Sequence, residues 1–87
     1  MNVHFPEAEL KSATQAQTLT LIANYFLLEP QRVGIGCRLV EDLGADSLEI
    51  LEITHALNDL FGIELPEDEL SSVRTAGDLC RLVDKFF

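Results

Sequence analysis

The stretch from Gly44 to Gly62, GADSLEILEITHALNDLFG, decides the fold because it contains the start and the end of one strongly patterned helix. Asp46 followed three residues later by Glu49 is an acidic form of the capping box, a pair that fixes a helix N-terminus. Gly44 permits a tight turn before this start, and Gly62 is suited to ending a helix. The sequence therefore predicts a helix over Ser47–Phe61. Residues at helical spacing form its predicted core stripe: Ile50, Ile53, Leu57, Leu60 and Phe61.

The residues before this helix predict one more helix and a long connection. Apolar residues recur at helical spacing over Ser12–Leu28, and Pro30 ends the pattern because it disfavours helical geometry in the residue before it. A Thr-Leu-Thr-Leu run inside the segment also fits a strand, so this alternative stays open. Gln31–Ala45 contains three glycines and scattered apolar residues. We predict a long loop there, pinned to the core.

Two capped segments follow the central helix. Pro66 stands at the first position of a predicted short helix with acids in its first turn. Thr75 and Asp78 repeat the capping box before a last helix that keeps its apolar period to the chain end. No segment shows the sustained alternation of a sheet. The predicted fold class is all-α: a small four-helix bundle with three main helices, a short third helix, and a long loop between helices one and two.

The composition describes one small folded domain with an acidic surface. The chain has 87 residues, a net charge of −9 and 47% hydrophobic residues, which is too apolar for a disordered acidic tail. We expect residues 1–87 to form a single domain, with residues 1–11 as a flexible N-terminal lead. Six Lys and Arg against fifteen Asp and Glu would repel phosphates, so nucleic-acid binding is disfavoured. A charged partner is expected to be basic.

Neither a membrane span nor a secretion signal is predicted. The uncharged run Ser12–Leu28 is interrupted by Thr, Gln and Asn and falls short of the ~20 mainly apolar residues that a span needs. The first ten residues lack the basic-then-apolar order of a signal peptide. Cys37 and Cys80 show no metal-binding or redox spacing, so they are interpreted as ordinary thiols without an assigned role. The predicted location is the cytoplasm, where thiols stay reduced.

The acids are concentrated in one part of the chain. Between Glu41 and Glu69 there are ten acids and no Lys or Arg. One interpretation is a solvated face that keeps the protein soluble. The other is a docking surface, because helical geometry places two leucines that the core does not require beside several of these acids. That sector consists of Leu48, Leu51, Glu52, His55 and Asp59. His55 lacks a second ligand and is interpreted as a surface residue rather than a metal ligand or base.

Ser47 is the chemically suggestive residue of the helix start. Backbone N–H groups without intrahelical acceptors and the positive end of the helix dipole favour a phosphate attached at this position. Nothing nearby activates the serine as a nucleophile, because neither histidine is close in sequence and no Gly-x-Ser-x-Gly elbow exists. Ser47 is therefore interpreted either as part of the cap or as an acceptor that another enzyme modifies.

The run Asp42–Glu49, DLGADSLE, resembles the 4′-phosphopantetheine attachment motif of acyl carrier proteins. The similarity extends over roughly residues 33–86, with Leu39-Val40-Glu41 before the motif and Glu64-Leu65-Pro66 after it. The resemblance implies that Ser47 accepts 4′-phosphopantetheine from coenzyme A through a phosphopantetheinyl transferase. The arm's thiol would hold acyl groups as thioesters, and the chain itself, a monomer, would catalyse nothing.

The resemblance also implies two sets of binding residues. Partner enzymes would place Lys and Arg patches on a docking surface around an apolar centre, made by Glu41, Asp42, Asp46, Leu48, Glu49, Leu51, Glu52, His55 and Asp59. An apolar acyl chain would slip between the helices, because exposing it to water costs about 0.8 kcal/mol per CH₂. The residues expected to line that space are Phe26, Ile53, Leu57, Leu65 and Leu79.

Three departures from the common fatty-acid pattern leave the pathway open. Thr54 and His55 stand where the pattern usually has an apolar pair. Asn58 reduces the number of acids near the end of helix two, and the first helix is uncharged. The chain is thus either a carrier of primary fatty-acid synthesis or a dedicated carrier of a specialised lipid, polyketide or toxin pathway. Asp46 favours acyl over aminoacyl cargo. Other classes are an unmodified acidic adaptor, including a calcium-responsive one although no EF-hand loop is present, and more distantly a hydrolase centred on Ser47.

Overall fold

The computed structural model describes the backbone of residues 7–87 and the side chains of residues 13–87. Three α-helices form the frame: α1 over Glu7–Tyr25, α2 over Ser47–Phe61 and α3 over Ala76–Phe86. Two 3-10 helices lie in the connections, over Pro30–Arg32 and Glu67–Ser72. The described residues contain no strand, only one isolated antiparallel bridge between Arg38 and Thr75. The predicted all-α bundle, with a short helix between the last two main helices, is confirmed.

Both predicted capping boxes are present and set the helix starts. At α2, the Glu49 N–H donates to Asp46 Oδ1 at 2.8 Å, and the Asp46 N–H donates to Glu49 Oε1 at 3.1 Å. At α3, Thr75 Oγ1 accepts from the Asp78 N–H at 3.1 Å, and Asp78 Oδ2 accepts from the Thr75 N–H at 3.0 Å. Gly62 ends α2 in the left-handed region with φ of 64°. The predicted bounds of α2 are therefore correct to the residue.

The first helix differs from its prediction at both ends. It begins at Glu7 instead of Ser12 and ends at Tyr25 instead of Leu28. Its end is made by Leu27, which adopts a left-handed φ of 58° so that the Leu28 N–H reaches the Ala23 carbonyl at 2.8 Å. The predicted lead, residues 1–11, falls partly outside the described residues and stays a prediction. The strand alternative for the threonine run is excluded, since that run lies within α1.

The core lies where α1 packs against both α2 and α3. Its largest fully buried apolar side chains come from all three helices and the long loop: Ile22, Leu39, Ile53, Leu57, Leu79 and Val83. The predicted stripe of α2 holds for Ile53 and Leu57, and Ile50 and Phe61 are half-buried beside them. It is wrong for Leu60, which is 49% exposed. Thr54 is buried instead, and its hydroxyl donates to the Ile50 carbonyl at 2.8 Å.

The long connection before α2 is fastened to the start of α3, as the predicted pinned loop requires. The first N–H groups of α3, at Ala76 and Gly77, donate to the carbonyls of Cys37 and Ile35, each at 2.8 Å. Gly77 approaches so closely that a Cβ there would lie 2.7 Å from the Ile35 carbonyl oxygen. The Leu39 N–H also donates to the Arg74 carbonyl at 2.9 Å. These contacts hold the chain that leads into α2 at a fixed place.

The segment between α2 and α3 is held by side chains at both ends. Pro66 precedes the 3-10 helix in extended geometry rather than occupying its first helical position. Asn58 Oδ1 accepts from the Leu65 N–H at 2.9 Å, and Lys85 of α3 donates to Glu69 Oε1 at 2.8 Å.

No helix in the part of the chain that the structure describes is long and apolar enough to cross a membrane.

Candidate functional site

Ser47 is the first residue of α2, and its side chain is exposed. The capping box immediately around it uses the carboxylates of Asp46 and Glu49 on backbone N–H groups, so the serine hydroxyl is not needed for the cap. N–H groups in the first turn of a helix have no intrahelical acceptor, and the dipole adds partial positive charge there. The position suits a hydroxyl that is to carry a phosphodiester.

The turn before Ser47 is fixed from inside the molecule. Gly44 has a φ of 72°, which favours glycine, and the neighbouring Ala45 is buried. The Ala45 N–H donates to the Leu39 carbonyl at 2.9 Å, and the Leu39 N–H in turn donates to Arg74. The loop therefore delivers Ser47 to the surface on a backbone that is anchored at α3.

A crevice of about 270 Å³ begins at Ser47 and separates α2 from the second 3-10 helix. Its lining is Ser47, Ile50, Leu51, Glu67, Leu70 and Ser71. The three apolar members are half-buried, so they offer apolar surface without being closed off. We call this space the Ser47 crevice. Sequence reasoning missed Glu67, Leu70 and Ser71, and the only signal for them was the predicted helix after Pro66.

The outer face of α2 brings together the predicted docking residues of that helix. Leu48 is 62% exposed, so a large apolar side chain faces water on this face. Glu52, His55 and Asp59 are exposed on the same helix, and Leu51 is half-buried at the edge of the Ser47 crevice. Glu41 and Asp42, also exposed, precede the helix. Leucine among acids is thus a feature of the folded surface as well as of the sequence.

Several of these acids already have intramolecular partners. Arg38 donates from its backbone N–H, its Nε and its guanidinium NH₂ to Asp42, and these hydrogen bonds lower the pKa of the Asp42 carboxyl. Tyr25 of α1 donates to Glu52 Oε2 at 2.6 Å, which raises the pKa of Tyr25 to about 12. Tyr25 could not be predicted from the sequence, because the pairing depends on how α1 crosses α2. Among the described side chains, Glu41 and Asp59 make no ion pair.

The remaining titratable groups among the side chains of residues 13–87 do not form a reactive cluster. His55 Nε2 lies 3.8 Å from Glu67 Oε1 across the gap between α2 and the second 3-10 helix. No group of three or more His, Cys, Asp or Glu within the described residues is arranged to hold a metal ion. Cys80 is buried, which raises the pKa of its thiol to about 11. Burial also raises the pKa of Cys37.

The five residues expected to line an acyl-chain space all belong to one packed region. Ile53, Leu57 and Leu79 are fully buried, Leu65 is buried, and Phe26 is half-buried against them. Leu57 and Leu79 belong to α2 and α3, so the region lies between the main helices. An alkyl chain that entered it would replace contacts among these side chains. Their role in holding cargo stays a prediction.

Comparison with known proteins identifies the class. The family described as "Phosphopantetheine attachment site" matches residues 16–83, which include Ser47 and most of the bundle. An acyl carrier protein of Sinorhizobium fredii is 32% identical over 65 residues, covering 75% of this chain and 83% of that protein. One of Wolinella succinogenes is 40% identical over 57 residues, covering 66% of this chain and 75% of the relative.

A solved acyl carrier protein from Enterococcus faecalis has the same fold. It superposes with a TM-score of 0.71 at 24% identity and covers 86% of this chain and 95% of its own. The chain belongs to the acyl carrier protein family, and the group that this family attaches is 4′-phosphopantetheine.

Proposed function

We propose that Ser47 carries the 4′-phosphopantetheine arm and that the protein transports acyl intermediates as thioesters on it. The observation that carries the proposal is an exposed hydroxyl at the first residue of a capped helix, presented by an anchored Gly-Ala-Asp turn within the matched region. When bound, the arm supplies a terminal thiol on a long tether, whereas the chain's own thiols are held in the fold, Cys80 buried and Cys37 half-buried. The chain is a substrate of other enzymes and catalyses no step itself.

The residues around Ser47 fit this arm in two ways. The first turn of α2 favours the negative charge of a phosphodiester at Ser47. The Ser47 crevice then offers half-buried Ile50, Leu51 and Leu70 beside the attachment point. An apolar cargo is favoured there and in the core beyond, because each CH₂ removed from water contributes about 0.8 kcal/mol.

Partner enzymes are proposed to dock on the outer face of α2. Glu41 and Asp59, which lack ion pairs with described side chains, are available to basic patches, and exposed Leu48 provides an apolar centre. Rim charges mainly raise the rate of encounter, while a small apolar contact allows rapid release. A carrier that visits several enzymes in succession needs this combination.

The proposal leaves a choice between primary fatty-acid synthesis and a dedicated pathway. Thr54 and His55, which depart from the common fatty-acid pattern, lie in the core and beside Glu67 on the surface respectively. These features favour a dedicated acyl carrier as the second candidate. Rates of acyl transfer to each condensing enzyme encoded in the same genome would separate the two, since a dedicated carrier serves one of them.

We also propose a cytoplasmic location, which the free thiols of Cys37 and Cys80 support.

Loading with the arm tests the function directly. The purified protein is incubated with coenzyme A and a broad-specificity phosphopantetheinyl transferase, and the intact mass is measured. We expect the mass of one arm to be added to the wild type and to Ser71→Ala, a control serine that lines the same crevice. Ser47→Ala should stay unmodified. Absence of the added mass from the wild type, or its persistence in Ser47→Ala, would contradict the proposal.

A further inference from the structure

A second depression lies along α1 and shares no lining residue with the Ser47 crevice. It has a volume of about 460 Å³. Its lining is Ala16, Gln17, Thr20, Leu21 and Asn24 of α1, with Leu60 of α2. We call it the α1–α2 groove. Leu60 is 49% exposed, so a large apolar side chain faces water at the point where the sequence pattern predicts a core residue.

The groove itself is uncharged and is bordered by acids on its α2 side. The segment of residues 12–28, which supplies five of the six lining residues, contains no Asp, Glu, Lys or Arg. Asp59 directly precedes Leu60 and is exposed. Glu52, two turns earlier on α2, accepts the hydrogen bond of Tyr25, the residue after Asn24. The groove and the acidic outer face of α2 therefore meet along the seam between α1 and α2.

Resting on the carrier function proposed above, we propose that the α1–α2 groove is a second docking site, which takes an apolar side chain flanked by Lys or Arg from a partner enzyme. The uncharged lining and Leu60 suit the apolar side chain, and Asp59 and Glu52 suit the flanking cations. A second copy of this chain is a poor occupant because each copy carries a net charge of −9. The outer face of α2 would orient the partner, and the groove would discriminate among partners.

Two glutamines on α1 give a matched test of this site. Gln17 lines the groove, whereas Gln15, also exposed on the same helix, does not. Gln17→Lys, Gln17→Glu, Gln15→Lys and Leu60→Gln are prepared alongside the wild type and loaded with the arm. Intact mass is recorded first, so that failure to load the arm is distinguished from failure to dock. Failure of the wild type to load would contradict both the carrier function and this inference. The purified condensing enzymes encoded in the same genome then serve as probes, with acyl transfer measured at low salt.

For at least one condensing enzyme, we expect Gln17→Lys to raise KM by about three- to fivefold, the effect of one exposed like-charge contact, with little change in kcat. Leu60→Gln should raise KM comparably, Gln17→Glu should raise it less than Gln17→Lys because it adds no like charge, and Gln15→Lys should leave it within about twofold. Equal effects of Gln17→Lys and Gln15→Lys, or no effect of Leu60→Gln with any of the enzymes, would overturn the proposal. So would a wild-type dimer that Leu60→Gln converts to a monomer in sedimentation, because the occupant would then be a second copy.

Discussion

At the scale of single residues, Leu27 holds a conformation that its side chain disfavours. Its φ of 58° is needed to end α1, yet the side chain is 93% exposed and contributes little burial. A left-handed conformation costs a non-glycine residue about 1–2 kcal/mol. Glycine avoids this cost, but its greater conformational freedom in the unfolded state offsets part of the gain. We predict that Leu27→Gly raises the free energy of unfolding by about 0.5–1 kcal/mol in urea denaturation. Leu27→Ala keeps the strain and should match the wild type, and a stabilised Leu27→Ala would refute this explanation.

Asp78 carries the pH dependence of α3. Hydrogen bonds from the backbone N–H groups of Arg74 and Thr75 lower the pKa of Asp78 to about 2. Because this folded value is below the unfolded one, the stabilisation is complete above about pH 4 and is lost as the pH falls toward 2. We predict that Asp78→Asn costs about 1–2 kcal/mol at pH 7 and that its difference from the wild type shrinks below pH 4. A gap independent of pH between 2 and 7 would refute this, and exposed Asp68→Asn is the control.

At the scale of elements, the start of α3 depends on the close passage of the long loop. Gly77 lies against the Ile35 carbonyl, where an added Cβ would be 2.7 Å from its oxygen. We predict that Gly77→Ala lowers the free energy of unfolding by about 1–3 kcal/mol, because a backbone atom must move and two first-turn hydrogen bonds weaken. Gly36→Ala, in the same loop with no atom within 4 Å of the new Cβ, is the matched control. Equal thermal stability of the two variants would show that the loop yields freely.

The elements also show which features a sequence can predict. The starts of α2 and α3 follow from capping boxes and the end of α2 follows from Gly62, and such signals span only a few residues, so a sequence can predict them. The end of α1 could not be read, because it uses leucine where a left-handed turn favours glycine. The exposure of Leu60 and the pairing of Tyr25 with Glu52 depend on how α1 crosses α2, which periodicity does not specify. The motif in the sequence identifies Ser47, whereas the Ser47 crevice can be recognised only in the folded structure.

At the scale of the whole molecule, the net charge of −9 raises the question of whether partners respond to total charge or to its placement. Placement is expected to dominate at short range, because exposed charges are screened beyond about 10 Å at moderate salt. Glu52 and Glu29 are both exposed acids, and replacing either by Lys changes the net charge equally. Only Glu52 lies on the outer face of α2. The pair therefore separates the two explanations, because both variants carry the same net charge.

We predict that Glu52→Lys slows acyl transfer to the cognate condensing enzyme by about three- to tenfold at low salt, through a higher KM, with the deficit shrinking as salt is added. Glu29→Lys should stay near the wild type. Since Glu52→Lys also removes the acceptor of the Tyr25 hydroxyl, Tyr25→Phe is measured beside it and should have a smaller effect. Helical content is checked by circular dichroism, because the prediction concerns encounter rather than folding. Equal slowing by Glu52→Lys and Glu29→Lys would mean that total charge governs docking. Unchanged acyl transfer by Glu52→Lys at low salt would mean that the outer face of α2 is not part of the interface.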